Sequence, residues 1–186
     1  MAGRPGAHGA TLRRTRIGLV FKQFNLIPSL TALENVAIPL VLAGRSRHAA
    51  VERAQQVLER VGLGDRLRNK PGQLSGGQQQ RVAIARALAQ EPEVFLADEP
   101  IASLDPRSAE TVMRILKDIQ ERRNIPVLVN LHHIDFARRY GKRIVGMKAG
   151  ATVFEGKASD LDEDIISSIY GPKHGEEEGC DRIRVS

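Results

Sequence analysis

Three short polar segments of this sequence contain residue types that could bind a phosphate or a metal ion. The first, Leu74–Gln78, opens a predicted helix. Ser75 is a favourable helix N-cap, and Gly76 and Gly77 would let an anion approach the backbone closely. The free N–H groups and the positive dipole end of the helix would then face a phosphate. The alternative interpretation is an ordinary glycine-rich helix cap.

The second segment follows an apolar run, Val94–Ala97, and consists of Asp98, Glu99 and Pro100. Open α/β sheets bind ligands at the carboxyl ends of their strands, which is where these two acids are expected. Asp98 is suited to hold Mg²⁺ through water, and Glu99 to polarise an attacking water. The alternative is that the pair only marks the start of a helix.

The third segment is His132-His133, which follows the apolar run Val127–Leu131. A histidine at the carboxyl end of a strand can contact a terminal phosphate, and His132 is the candidate. A simple polar strand end would have the same sequence. Each of the three segments is therefore ambiguous when taken alone.

The elements that must position these segments alternate between strands and helices. Apolar runs too short for helices predict strands, and apolar residues at three- and four-residue steps predict helices. Strands are predicted at 17–21, 94–97, 126–131, 143–147 and 151–154, and helices within 31–70 and at 75–89, 107–122, 134–140 and 160–170. The alternation indicates an α/β fold with buried parallel strands, interrupted by a helical block at 31–90.

Composition limits the class of protein. The 186 residues are 41% hydrophobic, which suits one domain or a core with a small subdomain. A single cysteine, Cys180, excludes an internal disulfide, and no apolar run approaches the ~20 residues of a membrane span. The net charge of +6 lies within residues 1–48 and forms no basic helix face interleaved with aromatics, so no nucleic-acid partner is expected.

The order of the three segments, with Ser103-Leu104-Asp105 between the second and the third, resembles the ATP-binding-cassette (ABC) ATPase family over about residues 13–170. The segments match its signature motif, Walker B motif, D-loop and H-loop. Residues 97–106 and 130–140 resemble the phosphonate-importer branch of the family, whereas 24–40 is more similar to lipoprotein-release and macrolide-export ATPases. The resemblance implies a P-loop NTPase-type parallel sheet with an inserted helical subdomain.

The resemblance also implies roles for individual residues. Asp98 would bind Mg²⁺ and Glu99 would be the catalytic base, while His132 would be the switch histidine. Asp105 would bridge two subunits. The signature residues would contact the γ-phosphate of an ATP held by a second subunit: Ser75, Gly76, Gly77 and Gln78. ATP and Mg²⁺ are the implied cofactors, and a second ATPase subunit and a transmembrane permease are the implied partners.

The sequence differs from the family pattern at two motifs, the Walker A motif and the Q-loop. The Walker A motif, Gly-x-x-x-x-Gly-Lys-[Ser/Thr], occurs nowhere in the 186 residues, which predicts an incomplete, N-terminally truncated ATPase domain that binds ATP weakly on its own. At the Q-loop, the family has Gln directly after Val-Phe, but here Val20-Phe21 is followed by Lys22 and then Gln23. Gln23 could take the Q-loop role, Lys22 would bring a positive charge toward the magnesium site, or the loop could contact only a membrane subunit.

These observations predict an organisation and a function. Residues 1–12 would be an unstructured lead-in, 13–170 a partial ABC ATPase domain and 171–186 an acidic tail. The chain would be the ATP-hydrolysing subunit of a phosphonate importer, placed in the cytoplasm on the inner face of the cell membrane. The alternatives are a partner that only lends its signature motif to an intact subunit, an inactive truncated product, and an exporter of lipoproteins or macrolides.

Overall fold

A computed structural model describes residues 16–171 of the chain. The predicted lead-in at 1–12 and almost all of the predicted acidic tail at 171–186 lie outside the described residues. The chain divides into two compact units between His132 and His133, and each unit is described by itself. Within residues 16–171, no helix combines the length and the apolar character needed to cross a bilayer.

A three-stranded parallel sheet lies at the centre of the first unit. It contains β1 (Ile17–Val20), β2 (Val94–Asp98) and β3 (Val127–Asn130), in that spatial order. This confirms the predicted α/β fold with a parallel sheet. The prediction that β3 is fully buried was wrong, because its residues alternate between half-buried and exposed and Leu128 is 65% exposed. An apolar run does not reveal that β3 lies at the edge of the sheet formed within residues 16–171.

Three helices fill the predicted helical block, namely α1 (Ala32–Leu42), α2 (Arg47–Arg60) and α3 (Gly76–Ala89). They pack on one another, and α3 also packs on β1. Thr31 begins α1 with a capping box, since its hydroxyl accepts from the Glu34 N–H and the Glu34 carboxylate accepts from the Thr31 N–H. Gly62, with φ of +72°, follows the end of α2. Helical packing at 31–90 agrees with the predicted subdomain, whose boundaries stay a prediction.

Helix α4 (Pro106–Arg123) joins β2 to β3. Asp105 caps its start and Pro106 occupies its first turn, where a missing N–H costs nothing. Asn124 ends it in the left-handed region, with φ of +50°. The buried residues recur at helical spacing and turn one face inward: Ala109, Val112, Met113, Leu116 and Ile119.

The second unit contains α5 (Ile134–Tyr140), β4 (Arg143–Lys148), β5 (Ala151–Lys157) and α6 (Glu163–Tyr170). The two predicted strands form an antiparallel hairpin that is a sheet of its own, so the expectation of one parallel sheet does not extend to them. Ala149 and Gly150 make the turn with positive φ values. Such a short connection can join only antiparallel neighbours, because a parallel pair needs a crossover.

Candidate functional site

Strand register brings Lys22, Glu99 and His132 together at the carboxyl edge of the sheet. Val20 pairs with Ala97, so the residues two positions further on, Lys22 and Glu99, come to lie opposite each other. The Lys22 ammonium donates to Glu99 Oε2 at 2.9 Å, and His132 Nε2 lies 2.7 Å from Glu99 Oε1. A carboxylate only accepts, so Nε2 carries the proton in this contact. Both oxygens of Glu99 are therefore engaged.

The pairing favours the ionised form of Glu99. The hydrogen bond from Lys22, followed by that from His132, holds the pKa of this carboxyl below its usual value. The backbone of Glu99 is left-handed, with φ of +44°, which a residue with a Cβ rarely adopts. Backbone strain of this kind persists where surrounding contacts fix the residue, and the Glu99 N–H donates to the Asn130 carbonyl at 3.2 Å.

Asp98 ends β2 and faces Asn130 on β3. Asn130 Nδ2 donates to Asp98 Oδ1 at 2.9 Å, as the pairing of these two residues in the register requires. Asp98 Oδ2 has no hydrogen-bond partner among residues 16–171, and no group of three metal-ligating side chains exists within that range. Mg²⁺ is held by one or two carboxylates with phosphate oxygens and waters completing its octahedron. The donor set therefore fits a magnesium ion that arrives with a nucleotide.

The loop after β1 is fixed to the rest of the unit by two side chains of α3. The buried Gln80 side chain donates to the Pro100 carbonyl at 2.8 Å and to the Phe21 carbonyl at 3.5 Å. The Arg86 guanidinium donates to the Phe24 and Asn25 carbonyls, at 3.0 and 2.5 Å. Lys22 therefore lies in a segment that is held on both sides.

The start of α3 carries the predicted phosphate-binding residues. Ser75 Oγ accepts from the Gln78 N–H at 3.2 Å, and Gln78 Oε1 accepts from the Ser75 N–H at 2.9 Å. This capping box satisfies two backbone donors and leaves the N–H groups of Gly76 and Gly77 at the positive end of the helix. Both interpretations of the motif are therefore compatible with the geometry, because the capped helix end still presents N–H donors.

Gly77 and Asp105 are connected through Ser108 on α4. A Cβ on Gly77 would lie 2.6 Å from Ser108 Cβ, so only glycine allows α3 and α4 to approach this closely. Asp105 Oδ1 accepts from the Ser108 N–H at 3.0 Å. Hydrogen bonds from Ser108 lower the Asp105 pKa below its usual value. The start of α3 and Asp105 therefore lie next to each other, because both contact Ser108.

The predicted residues therefore fall into two groups. The structure brings Asp98, Glu99 and His132 together at the sheet edge, and Ser75–Gln78 lies with Asp105 at the start of α3 and α4. Gln23 joins neither group, because its side chain is exposed and forms no hydrogen bond within residues 16–171. Its assignment to the nucleotide, like the roles of the other residues, stays a prediction.

Three residues at the site were not assigned from the sequence. Gln80 is a fully buried polar residue on an otherwise apolar helix face, and that break in the pattern was the available signal. Asn130 could be found from strand alignment, since it ends β3 as Asp98 ends β2. The pairing of Lys22 with Glu99 required the register of β1 on β2, which no local pattern contains.

Comparison with known proteins places this geometry in a family. A family model described as ABC transporter matches residues 4–102. The chain is 45% identical over 166 residues to the phosphonates import ATP-binding protein PhnC 2 of Oceanobacillus iheyensis, covering 85% of this chain and 65% of the relative. It is 47% identical over 181 residues to the phosphonates import ATP-binding protein PhnC of Rhizobium etli, with coverages of 89% and 63%. The chain thus spans about two thirds of the length of these relatives.

Solved structures agree with the sequence relatives. The dimeric structure of MJ0796, a bacterial ABC transporter cassette, is 45% identical with a TM-score of 0.74, and the match covers 83% of this chain and 68% of that one. A second structure of the same cassette, in a post-hydrolysis state bound to ADP and Pi, has a TM-score of 0.73 at the same identity and coverages. The chain belongs to the ABC transporter family of ATP-binding proteins.

Proposed function

We propose that the chain acts, together with a second subunit, as an ATP-binding and ATP-hydrolysing subunit of an ABC transporter. The observation that carries the proposal is the Glu99 carboxylate, ionised and hydrogen-bonded to His132 at the carboxyl edge of the parallel sheet. Carboxylates in this position accept the proton of an attacking water. The names of the relatives support phosphonate import as the transport process.

The geometry suggests how the chain's residues would share the reaction. Glu99 would orient a water and take its proton, and His132 would hold the carboxylate from the other oxygen. Asp98, with its free Oδ2, would hold Mg²⁺, which neutralises phosphate charge when bound. Lys22 and His132 each occupy one position on the Glu99 carboxylate, so displacement of Lys22 would free Oε2 for the water.

The partners follow from the second group of residues. The N–H groups at the start of α3 would contact the γ-phosphate of an ATP held by the other subunit, and Asp105 would lie at the contact between subunits. The dimeric state of the solved cassette supports this arrangement. The chain would couple ATP hydrolysis to a membrane permease, and it would then lie on the inner face of the membrane. We expect no nucleic-acid partner, because the basic residues form no helix face interleaved with aromatics.

A second candidate function is favoured by the sequence itself. No Gly-x-x-x-x-Gly-Lys-[Ser/Thr] occurs in the 186 residues, yet the capped start of α3 is complete. A chain of this kind could lend only its signature residues to the nucleotide of an intact partner. The two candidates differ in whether Glu99 of this chain takes part in catalysis.

Hydrolysis by mixtures tests the proposal. We expect the chain alone to bind ATP·Mg²⁺ weakly in calorimetry and to show no turnover. When the chain is mixed with an intact phosphonate-import ATPase subunit, we expect a gain, namely more hydrolysis than the intact subunit shows alone. Ser75→Arg should abolish the gain, because the new side chain blocks the start of α3. Ser46→Arg is the matched control, since Ser46 caps α2 in the same way, accepting from the Ala49 N–H at 3.3 Å.

Glu99→Gln in this chain then separates the two candidates. If the chain hydrolyses ATP at its own sheet edge, the rate of the mixture falls by about half or more. An unchanged rate would show that only the signature residues are used. Tight binding of ATP·Mg²⁺ to the chain alone would contradict the predicted dependence on a second subunit, and no gain on mixing would contradict both candidates.

A further inference from the structure

Lys22 carries a positive charge beside the candidate catalytic base, and the proposed binding and hydrolysis of ATP do not require a charge there. Its ammonium contacts Glu99 Oε2, and the ion pair is asymmetric, with 52% of the Lys22 side chain but only 17% of the Glu99 side chain exposed. The buried member of the pair is thus the candidate base, and the accessible member is a cation that solvent can reach. Lys22 can therefore act as a counter-ion to Glu99 that belongs to the same chain. Its side chain can move away from Glu99 without exposing buried apolar residues.

The position of Lys22 is fixed by the backbone. The β1–β2 register sets it opposite Glu99, and Gln80 bonds to the carbonyls of the residues beside each of them, Phe21 and Pro100. On its other side the loop is held through the Phe24 and Asn25 carbonyls. The backbone on both sides of Lys22 is therefore held, which keeps the start of its side chain opposite Glu99.

The free acceptor oxygens at the sheet edge are few once Lys22 is in place. Glu99 uses both of its oxygens, for Lys22 and His132, and Asp98 uses Oδ1 for Asn130. Of the four carboxylate oxygens of Asp98 and Glu99, Asp98 Oδ2 is the one without a hydrogen-bond partner within residues 16–171. A divalent cation binding there would also face the positive charge of the Lys22 ammonium on the adjacent carboxylate, which opposes its approach.

We propose that Lys22 is a positioning residue that holds Glu99 in a paired, resting arrangement and excludes divalent cations from the Asp98–Glu99 edge until its side chain is displaced. The inference rests on the proposed function, because it concerns regulation of the same site. Lys22 thereby puts a movable positive charge directly after Val20-Phe21, where the family has a neutral glutamine. Displacement costs little burial, since the ammonium moves from one solvated position to another.

Binding of Mn²⁺ without nucleotide tests the inference on the full chain. Paramagnetic broadening of the backbone amide signals of residues 98, 99 and 130 reports binding at this edge, even at millimolar affinity. Removing one positive charge from within ~6 Å of a dication, in a medium like water, changes its affinity about tenfold. We therefore expect Lys22→Gln to bind Mn²⁺ about tenfold more tightly than the unmodified chain, and Lys22→Met to do the same.

The controls separate charge from structure. Lys22→Arg keeps the charge and should bind Mn²⁺ like the unmodified chain. Lys117→Gln removes an exposed lysine that pairs with Glu121 on α4, and it should also change nothing. Adding Asp98→Asn to Lys22→Gln should abolish the gain, because it removes the negative charge of the Asp98 carboxylate that would hold the cation.

Equal Mn²⁺ affinity of Lys22→Gln and the unmodified chain, with both showing folded amide spectra, would overturn the inference. So would a gain that Lys22→Arg also shows, because that would assign it to altered packing. These outcomes leave the proposed function standing, since it is tested by hydrolysis in mixtures. Conversely, a tenfold gain with no hydrolysis in any mixture would support the counter-ion and refute the ATPase.

Discussion

Replacing Gly77 by alanine tests whether the close approach of α3 and α4 is what requires glycine in the phosphate-binding segment. The added Cβ would meet the Ser108 hydroxyl and would lie 2.6 Å from Ser108 Cβ. Carbon atoms in contact prefer about 3.5–4.0 Å, so the two helices would have to separate by about 1 Å at this point. Gly76 offers a matched control, because a Cβ there would lie 3.6 Å from Leu104 and 3.7 Å from Phe24, which is ordinary contact.

The expected magnitude follows from two opposing contributions. Overpacking of a close contact costs about 1–3 kcal/mol of unfolding free energy, and alanine in place of glycine in a helix returns up to about 1 kcal/mol. Gly77→Ala should therefore lower the unfolding free energy by about 1–2 kcal/mol. Gly76→Ala should change it by about 0.5 kcal/mol or less, or raise it slightly, because no clash opposes the gain in helix propensity.

Urea unfolding followed by far-UV circular dichroism measures these values, and a double-mutant cycle assigns their cause. In a Ser108→Gly background the clash with the serine side chain is gone, and Gly77→Ala should become neutral or stabilising. The coupling free energy between positions 77 and 108 should then be about 1–3 kcal/mol. The same loss for Gly77→Ala in both backgrounds would refute the reasoning and assign the cost to the backbone of Gly77 itself.

Two further predictions concern stability. The partners of Glu99 lower its pKa from 4.5, so the paired carboxylate stabilises the fold above this pH and loses its contribution as the pH falls through the lowered pKa. The difference in unfolding free energy between the unmodified chain and Glu99→Gln should therefore shrink below about pH 4.5. A difference that stays constant with pH would contradict this prediction. Asn35 is buried, donates to the Ile27, Leu30 and Thr31 carbonyls and accepts from the Ile27 N–H, so Asn35→Ala should cost about 2–4 kcal/mol in urea unfolding. The exposed Gln55→Ala should cost about 0.5 kcal/mol or less, and equal losses would show that the Asn35 bonds contribute little.

The sequence predicted the elements of the first unit well, because their signals are local. The helices predicted within 31–70 and at 107–122 correspond to α1, α2 and α4, whose bounds are Ala32–Leu42, Arg47–Arg60 and Pro106–Arg123. The apolar run at 94–97 is a strand of the parallel sheet, as its length indicated. The order of Ser75–Gln78, Asp98–Glu99 and His132 was sufficient to predict the family, because chance does not align three such segments.

What the sequence could not predict depends on long-range pairing. The apolar run of β3 gave no sign that the strand lies at the edge of the sheet that residues 16–171 form, so Leu128 was wrongly expected to be buried. Which of Lys22 and Gln23 contacts Glu99 likewise depended on the β1–β2 register, which sets Lys22 opposite Glu99. The sequence predicted β4 and β5 as strands. It did not show that they pair with each other in a separate antiparallel sheet instead of joining the parallel one.

The fixed length of the loop after β1 limits which mutations the site can accept during evolution. Three residues, 21–23, connect the paired end of β1 to carbonyls that Arg86 holds. Deleting the codon for Lys22 would bring Gln23 opposite Glu99, but it would also pull Phe24 away from the start of α3, where its ring lies near Gly76. A single-base change in the codon exchanges lysine for glutamine and keeps the loop length. Substitution at position 22 can therefore remove or restore the positive charge beside Glu99 while the loop keeps its length.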